Sequence, residues 1–215
     1  MRRADAPGHA DALANGDART NGDAPARADG RFNRSVVTRK KIVDALSMLI
    51  REGVLAPTAE QVASRADVGL RTVFRHFEDM ETLYREITRD LDRIVDSVVH
   101  LPLNAVHWKD RLAEGIRIRC DLYDRIAAFH LGSQVQRHQS DYLNTKILQG
   151  AARQRRLLMH QLPAVVLADK TAVEALDVAT SIDTWIRLRR EQGLSAPMAL
   201  GVVQRLVDAL IAGFD

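Results

Sequence analysis

The side chains best suited to meeting another molecule fall in one short run, Leu70-Arg71-Thr72-Val73-Phe74-Arg75-His76. Wound as a helix, Val73 and Phe77 share an inward face, and Leu70, Arg71, Thr72, Arg75 and His76 project from the other side. That outward set suits reading DNA. Arginine presents a planar fork that bonds bidentately to a guanine edge, and threonine or an apolar group meets a thymine methyl. Phe74 could anchor such a helix sterically at the sugar-phosphate backbone.

A reading helix needs elements that hold it. Thr58 and Gln61 have the spacing of a capping box at the start of a short helix, whose inward face is Val62, Ala63 and Ala66. Small residues at 63 and 66 let two helices cross closely. The chain must turn at Asp67–Gly69, and Asp67 sits where a left-handed conformation is useful, which aspartate tolerates better than most residues. Upstream, Ile42, Ala45, Leu46 and Leu49 predict a helix from about Thr38, closed by Gly53 and Pro57. Downstream, Leu83, Ile87, Leu91, Ile94 and Val98 predict a helix from near Asp79 to about Val99. That helix is long enough to leave the reading unit and enter the next one as a stiff lever. Leu101-Pro102-Leu103-Asn104 ends it.

The run VASRADVGLRTVFRHFEDMETL, residues 62–83, closely resembles the DNA-binding region of TetR/AcrR-type regulators. Matching positions are Val62, Ala63, Ala66, Val68, Thr72, Val73, Phe74, His76, Phe77, Glu81 and Leu83. Asp67 stands where that family has a turn glycine, Gly69 where it has a capping serine, Arg71 where glycine is frequent, Phe74 for a common tyrosine and Met80 for a lysine. The resemblance implies an all-α fold: an N-terminal three-helix helix-turn-helix domain and a helical C-terminal domain for ligand binding and dimerisation. It also implies a homodimer, joined through its last two helices, on palindromic double-stranded DNA. Expected DNA contacts are Arg39, Lys40, Thr58, Leu70, Arg71, Thr72, Phe74, Arg75 and His76. The same resemblance implies a small-molecule effector in the C-terminal half, for which Trp108, Cys120, Tyr123, Phe129, His130 and Tyr142 are the candidate lining residues. Aromatic residues at helical spacing serve equally well as core.

Three domains are expected: a disordered extension at 1–34, the DNA-binding domain at 35–82, and the regulatory and dimerisation domain at 83–215. The extension carries Asp5, Asp11, Asp17, Asp23 and Asp29 at six-residue intervals and almost no large apolar groups. Such a segment cannot offset the entropy of ordering. Arg31, Arg34, Arg39, Lys40 and Lys41 form a basic block without acids, read either as a solvated tail or as a phosphate-binding arm. The C-terminal half predicts helices at about 108–124, 125–138, 141–162, 170–192 and 196–213. The last two are apolar over so wide an arc that a partner surface is expected beside the internal core.

Composition excludes several classes. At 215 residues, with 46% hydrophobic and 27% charged side chains, the chain is of ordinary globular make-up. It has no apolar run near the roughly 20 residues of a membrane span, and the N-terminus lacks the apolar core of a secretory signal. A lone cysteine, Cys120, excludes an internal disulfide framework, and a cytoplasmic setting is expected. No cofactor or metal site is expected, since His100 and His107 have no completing carboxylate spacing. The chain has no G-x-S-x-G, G-x-x-x-x-G-K-[ST] or H-E-x-x-H motif, so an enzyme is not expected. The expected function is a sequence-specific, ligand-responsive transcriptional repressor. The rival readings are a helical interaction protein with a degenerate reader and, further off, a small-molecule enzyme.

Overall fold

The computed structural model describes residues 24–214, with side chains described from residue 32. Among the described residues every regular element is helical, and the all-α expectation holds. The reading unit comprises α1 (Ala24–Arg51), α2 (Ala59–Ala66) and α3 (Leu70–His76), followed by α4 (Met80–Val99). The C-terminal half contains α5 (Trp108–Gln136), α6 (Asp141–Met159), α7 (Ala164–Ala168), α8 (Lys170–Ala179), α9 (Ile182–Ile186) and α10 (Ala196–Ile211), with a π-helical turn over Arg187–Glu191.

Local chemistry sets the helix ends. Thr58 caps α2 as a capping box: Gln61 N–H donates to its hydroxyl at 3.3 Å, and its own N–H donates to Gln61 Oε1 at 2.9 Å. Asp67 closes α2 in the left-handed region, with φ 54° and ψ 51°. Its N–H donates to Ser64 O, and Val68 N–H reaches back to Ala63 O at 3.0 Å, so the turn is a Schellman motif with aspartate in the glycine position. Gly69 starts α3 without a side-chain cap. Asp79 caps α4 by accepting from Thr82 N–H at 2.7 Å.

Four sequence expectations are corrected. Helix α1 begins at Ala24, not near Thr38, and takes in residues 24–34 of the expected extension. No proline interrupts that stretch after Pro25, and alanine and arginine favour helix. The rest of the expected extension, with Asp5, Asp11, Asp17 and Asp23, lies outside the described residues. The expected helices at 108–124 and 125–138 are one, because Asp124-Arg125 is a solvent-facing pair and not a breaker. The expected helix at 170–192 is broken instead. Thr180 Oγ1 donates to Leu176 O at 2.9 Å, and Ser181 restarts the chain by accepting from Thr184 N–H at 3.1 Å. Finally, Ala164–Ala168 adds a short helix after Pro163.

Backbone packing divides the chain into residues 1–38 and Arg39–Asp215. In the first unit Phe32, Val36 and Val37 are exposed. The second unit holds two hydrophobic clusters. One gathers Leu112, Ile116, Tyr123, Leu158, Leu176, Trp185, Val203 and Val207 from α5 to α10. The other gathers Ile42, Leu46, Val62, Ala63, Val73, Phe77, Leu83 and Ile87 together with Ala128, Phe129 and Leu143. Packing therefore runs without a break across residues 82 and 83, and the reading unit rests on α5 and α6.

Candidate nucleic-acid interface and internal cavity

Val73 and Phe77 are each 1% exposed, and they pin one side of α3 into the core formed by α1, α2 and α4. The opposite side carries Arg71 and Arg75, both exposed and neither ion-paired among the described residues, with Leu70 37% and Phe74 48% exposed beside them. A large apolar side chain so uncovered on a seven-residue helix, flanked by two unneutralised guanidinium groups, is an unusual expenditure for a surface turned only to water. Thr72 is half-buried and Thr58 is exposed at the start of α2. Met80, in the position of the family lysine, is half-buried and packs against the reading-unit core.

Two expected DNA contacts sit differently from the sequence reading. Arg39 is not a free cation. Its guanidinium donates to His76 O at 2.7 Å, where α3 ends with unpaired carbonyls, and to Glu86 Oε1 at 2.6 Å on α4. It also lies over the Phe77 ring, 4.2 Å from the centroid. It clamps the reading helix to α1 and α4. His76 is half-buried, its Nε2 shielded and without a hydrogen-bond partner among the described residues. Burial, aided by Arg75 and Arg39, holds the His76 imidazole below its usual 6.5. Lys40 is exposed and pairs with Asp44 at 2.7 Å, and that carboxylate raises its pKa. Lys41 is exposed and has no ion-pair partner among the described residues.

A partly open cavity of about 890 Å³ lies between α4, α5, α6 and the α8–α9 corner. Of the candidate effector residues, only Phe129 and His130 line it. Cys120 and Tyr123 face the core instead. Burial pushes the Cys120 thiol up to about 12, which keeps it protonated, and the Tyr123 hydroxyl donates to Gln154 Oε1 at 2.6 Å. Trp108 packs against the C-terminal cluster, and Tyr142 bonds to the Thr88 hydroxyl beneath the Arg85 guanidinium. The reason is helix phase. The apolar face of α5 that carries Cys120 and Tyr123 points away from the cavity, and Ile118, Leu122 and Ile126 on the next face line it.

The sequence reading missed Arg119, which is 9% exposed, lines the cavity and donates to Thr180 Oγ1 at 3.1 Å. Its signal was available: Arg119 falls at the border between the core face of Leu112, Ile116 and Tyr123 and the cavity face of Ile118, Leu122 and Ile126, and a cation stands there where an apolar residue is expected. Across the cavity, Lys146 bonds Asp92 at 2.7 Å and Arg153 bonds Asp96 at 2.5 Å, tying α6 to α4. Gln161 also lines the wall, its Oε1 buried without a hydrogen-bond partner among the described residues. No group of three or more metal-ligating side chains occurs among the described residues, and no helix there is long and apolar enough to cross a membrane.

A buried-stem helix exposing two free arginines, set by a tight left-handed turn against a capped partner helix, defines a helix-turn-helix protein. Residues 42–87 match the family of bacterial regulatory proteins of the tetR type. Most of the fold is shared with solved structures. A transcriptional regulator from Rhodococcus sp. Rha1 is 14% identical, covers 81% of this chain and 96% of its own, and superposes with a TM-score of 0.63. A candidate TetR-family transcriptional regulator from Mesorhizobium loti MAFF303099 is 17% identical, covers 83% of this chain and 97% of its own, and has a TM-score of 0.57. No curated protein matches the chain in sequence. Residues 42–87 thus carry a DNA-binding domain of the tetR type, and the chain as a whole has the fold of these solved regulators.

Proposed function

We propose that the chain represses transcription by binding a palindromic operator as a homodimer, and that a small molecule in the cavity releases it. The observation that carries this reading is the pair of unpaired, exposed arginines, Arg71 and Arg75, on a helix whose other face is locked in the core. In this reading Arg71, Thr72 and Arg75 meet base edges. Leu70 packs on a thymine methyl, and Thr58, Phe74 and Lys40 lie at the backbone. His76 reaches DNA only at its exposed edge, and Arg39 acts through its hold on α3.

One reading helix covers only a few base pairs, so twofold symmetry is the expected solution. Support for a dimer through the last helices comes from Met198 at 59% and Leu206 at 44% exposed on α10, with Val178 at 67% on α8. The cavity supports ligand control because α4 supplies part of its wall and continues from the reading unit. A molecule seated against Leu91 and Val95 shifts that lever if it binds one position of α4 better than another.

Selection of genomic fragments by the purified chain tests the proposal. The expected result is a palindrome whose half-sites lie about 10 base pairs apart, centre to centre, or a multiple of that. Fragments recovered without a shared sequence would overturn it.

A further inference from the structure

We infer that the cavity takes an amphipathic carboxylic acid, its carboxylate on Arg119 and its apolar part along Leu91, Val95, Leu122 and Ile126. This rests on the proposed ligand-responsive reading and names the chemistry of the ligand. Arg119 is nine-tenths buried, yet its one hydrogen bond among the described residues goes to the neutral hydroxyl of Thr180. A guanidinium offers five N–H donors, and a buried cation is costly without an opposite charge. The carboxylates of the same wall do not supply it. Asp92 and Asp96 are paired with Lys146 and Arg153 and Asp177 with Arg155, and Asp183 is 70% exposed and bonded to His130 rather than to Arg119.

Arg119 is the one buried cation among the described residues, and a single buried positive charge fits a monoanion better than a phosphate dianion, which needs more donors and more charge. The apolar part of the lining includes Leu91 and Val95 on α4 and Leu122 and Ile126 on α5, beside the ion pairs that join α4 to α6, and about 890 Å³ accommodates a drug-sized molecule. Helix register gives the site direction. Arg119 stands beside Ile118 and one turn from Leu122, so a head group on the guanidinium leaves its tail pointing along α5 towards Ile126.

The test compares decanoate, decanol and decylamine, each below its micellar concentration, by calorimetric titration of the full chain and of Arg119→Gln. Decanoate should bind wild type at least ~10-fold more tightly than decanol, as a charge-assisted hydrogen bond predicts, with decylamine weakest. Arg119→Gln should lose that preference and bind decanol as wild type does. Equal binding of decanoate and decanol by wild type would overturn the carboxylate assignment and leave the ligand reading standing. Failure of all three probes, and of 4-phenylbutyrate and 4-phenylbutanol alongside them, would overturn the ligand reading as well. Should Arg119→Gln fail to fold, the head-group order on wild type decides alone.

Discussion

Helices α3 and α4 both carry arginines on exposed faces, and they use them in opposite ways. On α4, Arg85 pairs with Glu81 at 2.6 Å, Arg89 with Glu86 at 2.7 Å and Arg93 with Asp90 at 2.6 Å, each within one helical turn. On α3, Arg71 and Arg75 have no acid on their own helix and no ion pair elsewhere in the described residues. Local pairing on α4 neutralises its field, and α3 leaves two charges for an outside anion. Arginine content alone therefore says little about where nucleic acid binds. What distinguishes the two helices is whether each guanidinium already has a carboxylate within reach.

The strongest way to break this comparison is at Arg71. Arg71→Ala should cost about 1–3 kcal/mol of operator binding and relax preference at one base position, read by binding to a library of operator variants. Next comes the clamp. Arg39→Ala removes a bond to His76 O, an ion pair with Glu86 and the stacking on Phe77. Its side chain is 38% exposed, so solvent discounts the ion pair. A loss of about 1–2 kcal/mol in chemical denaturation is expected. Binding should weaken for all sequences alike.

A smaller effect of opposite sign is expected at the turn. Asp67 is the one non-glycine residue with positive φ among the described residues. Asp67→Gly should stabilise the fold by about 1 kcal/mol in denaturant melts, because the left-handed cost vanishes. Acidification gives a further check on α3. The His76 pKa is lowered in the folded chain, so the unfolded chain binds the proton more readily. The stability from neutral His76 is present above about 6.5, its usual value, and is lost as pH falls through that value towards the folded one. His76→Gln should flatten this acid-side slope in thermal melts across that window. Smallest of all, Arg89→Ala on α4 should change operator binding and stability by no more than about 0.5 kcal/mol, since its exposed pair with Glu86 is worth little.

The two halves also differ in how far they can be read without coordinates. The capping box at Thr58, the left-handed Asp67 and the bounds of α3 all depend on neighbours within a few residues, and each is legible as spacing. The Arg39 clamp is not, because its partners lie 37 and 47 residues away in sequence. A basic block invites a phosphate reading until the fold brings Glu86 to it. The lining of the cavity escapes a sequence reading for a related reason. Aromatic side chains attract attention, but the phase of α5 sends Cys120 and Tyr123 into the core and turns Leu122 and Ile126 to the space. Arg119 was the better clue, a cation breaking an apolar register. The break at Thr180 and Ser181 was hidden because their side-chain bonds compete with a helix that the apolar pattern supports.

The most direct measurement is the salt-resolved affinity of wild type and of Arg71→Ala with Arg75→Ala for a selected operator and for random duplex of equal length. The account predicts that wild type prefers the operator strongly, and that the double variant binds both duplexes with nearly one weak affinity and a shallower salt dependence. A double variant that kept the operator preference and salt slope of wild type would contradict it, because the unpaired arginines of α3 would then not be the reading surface.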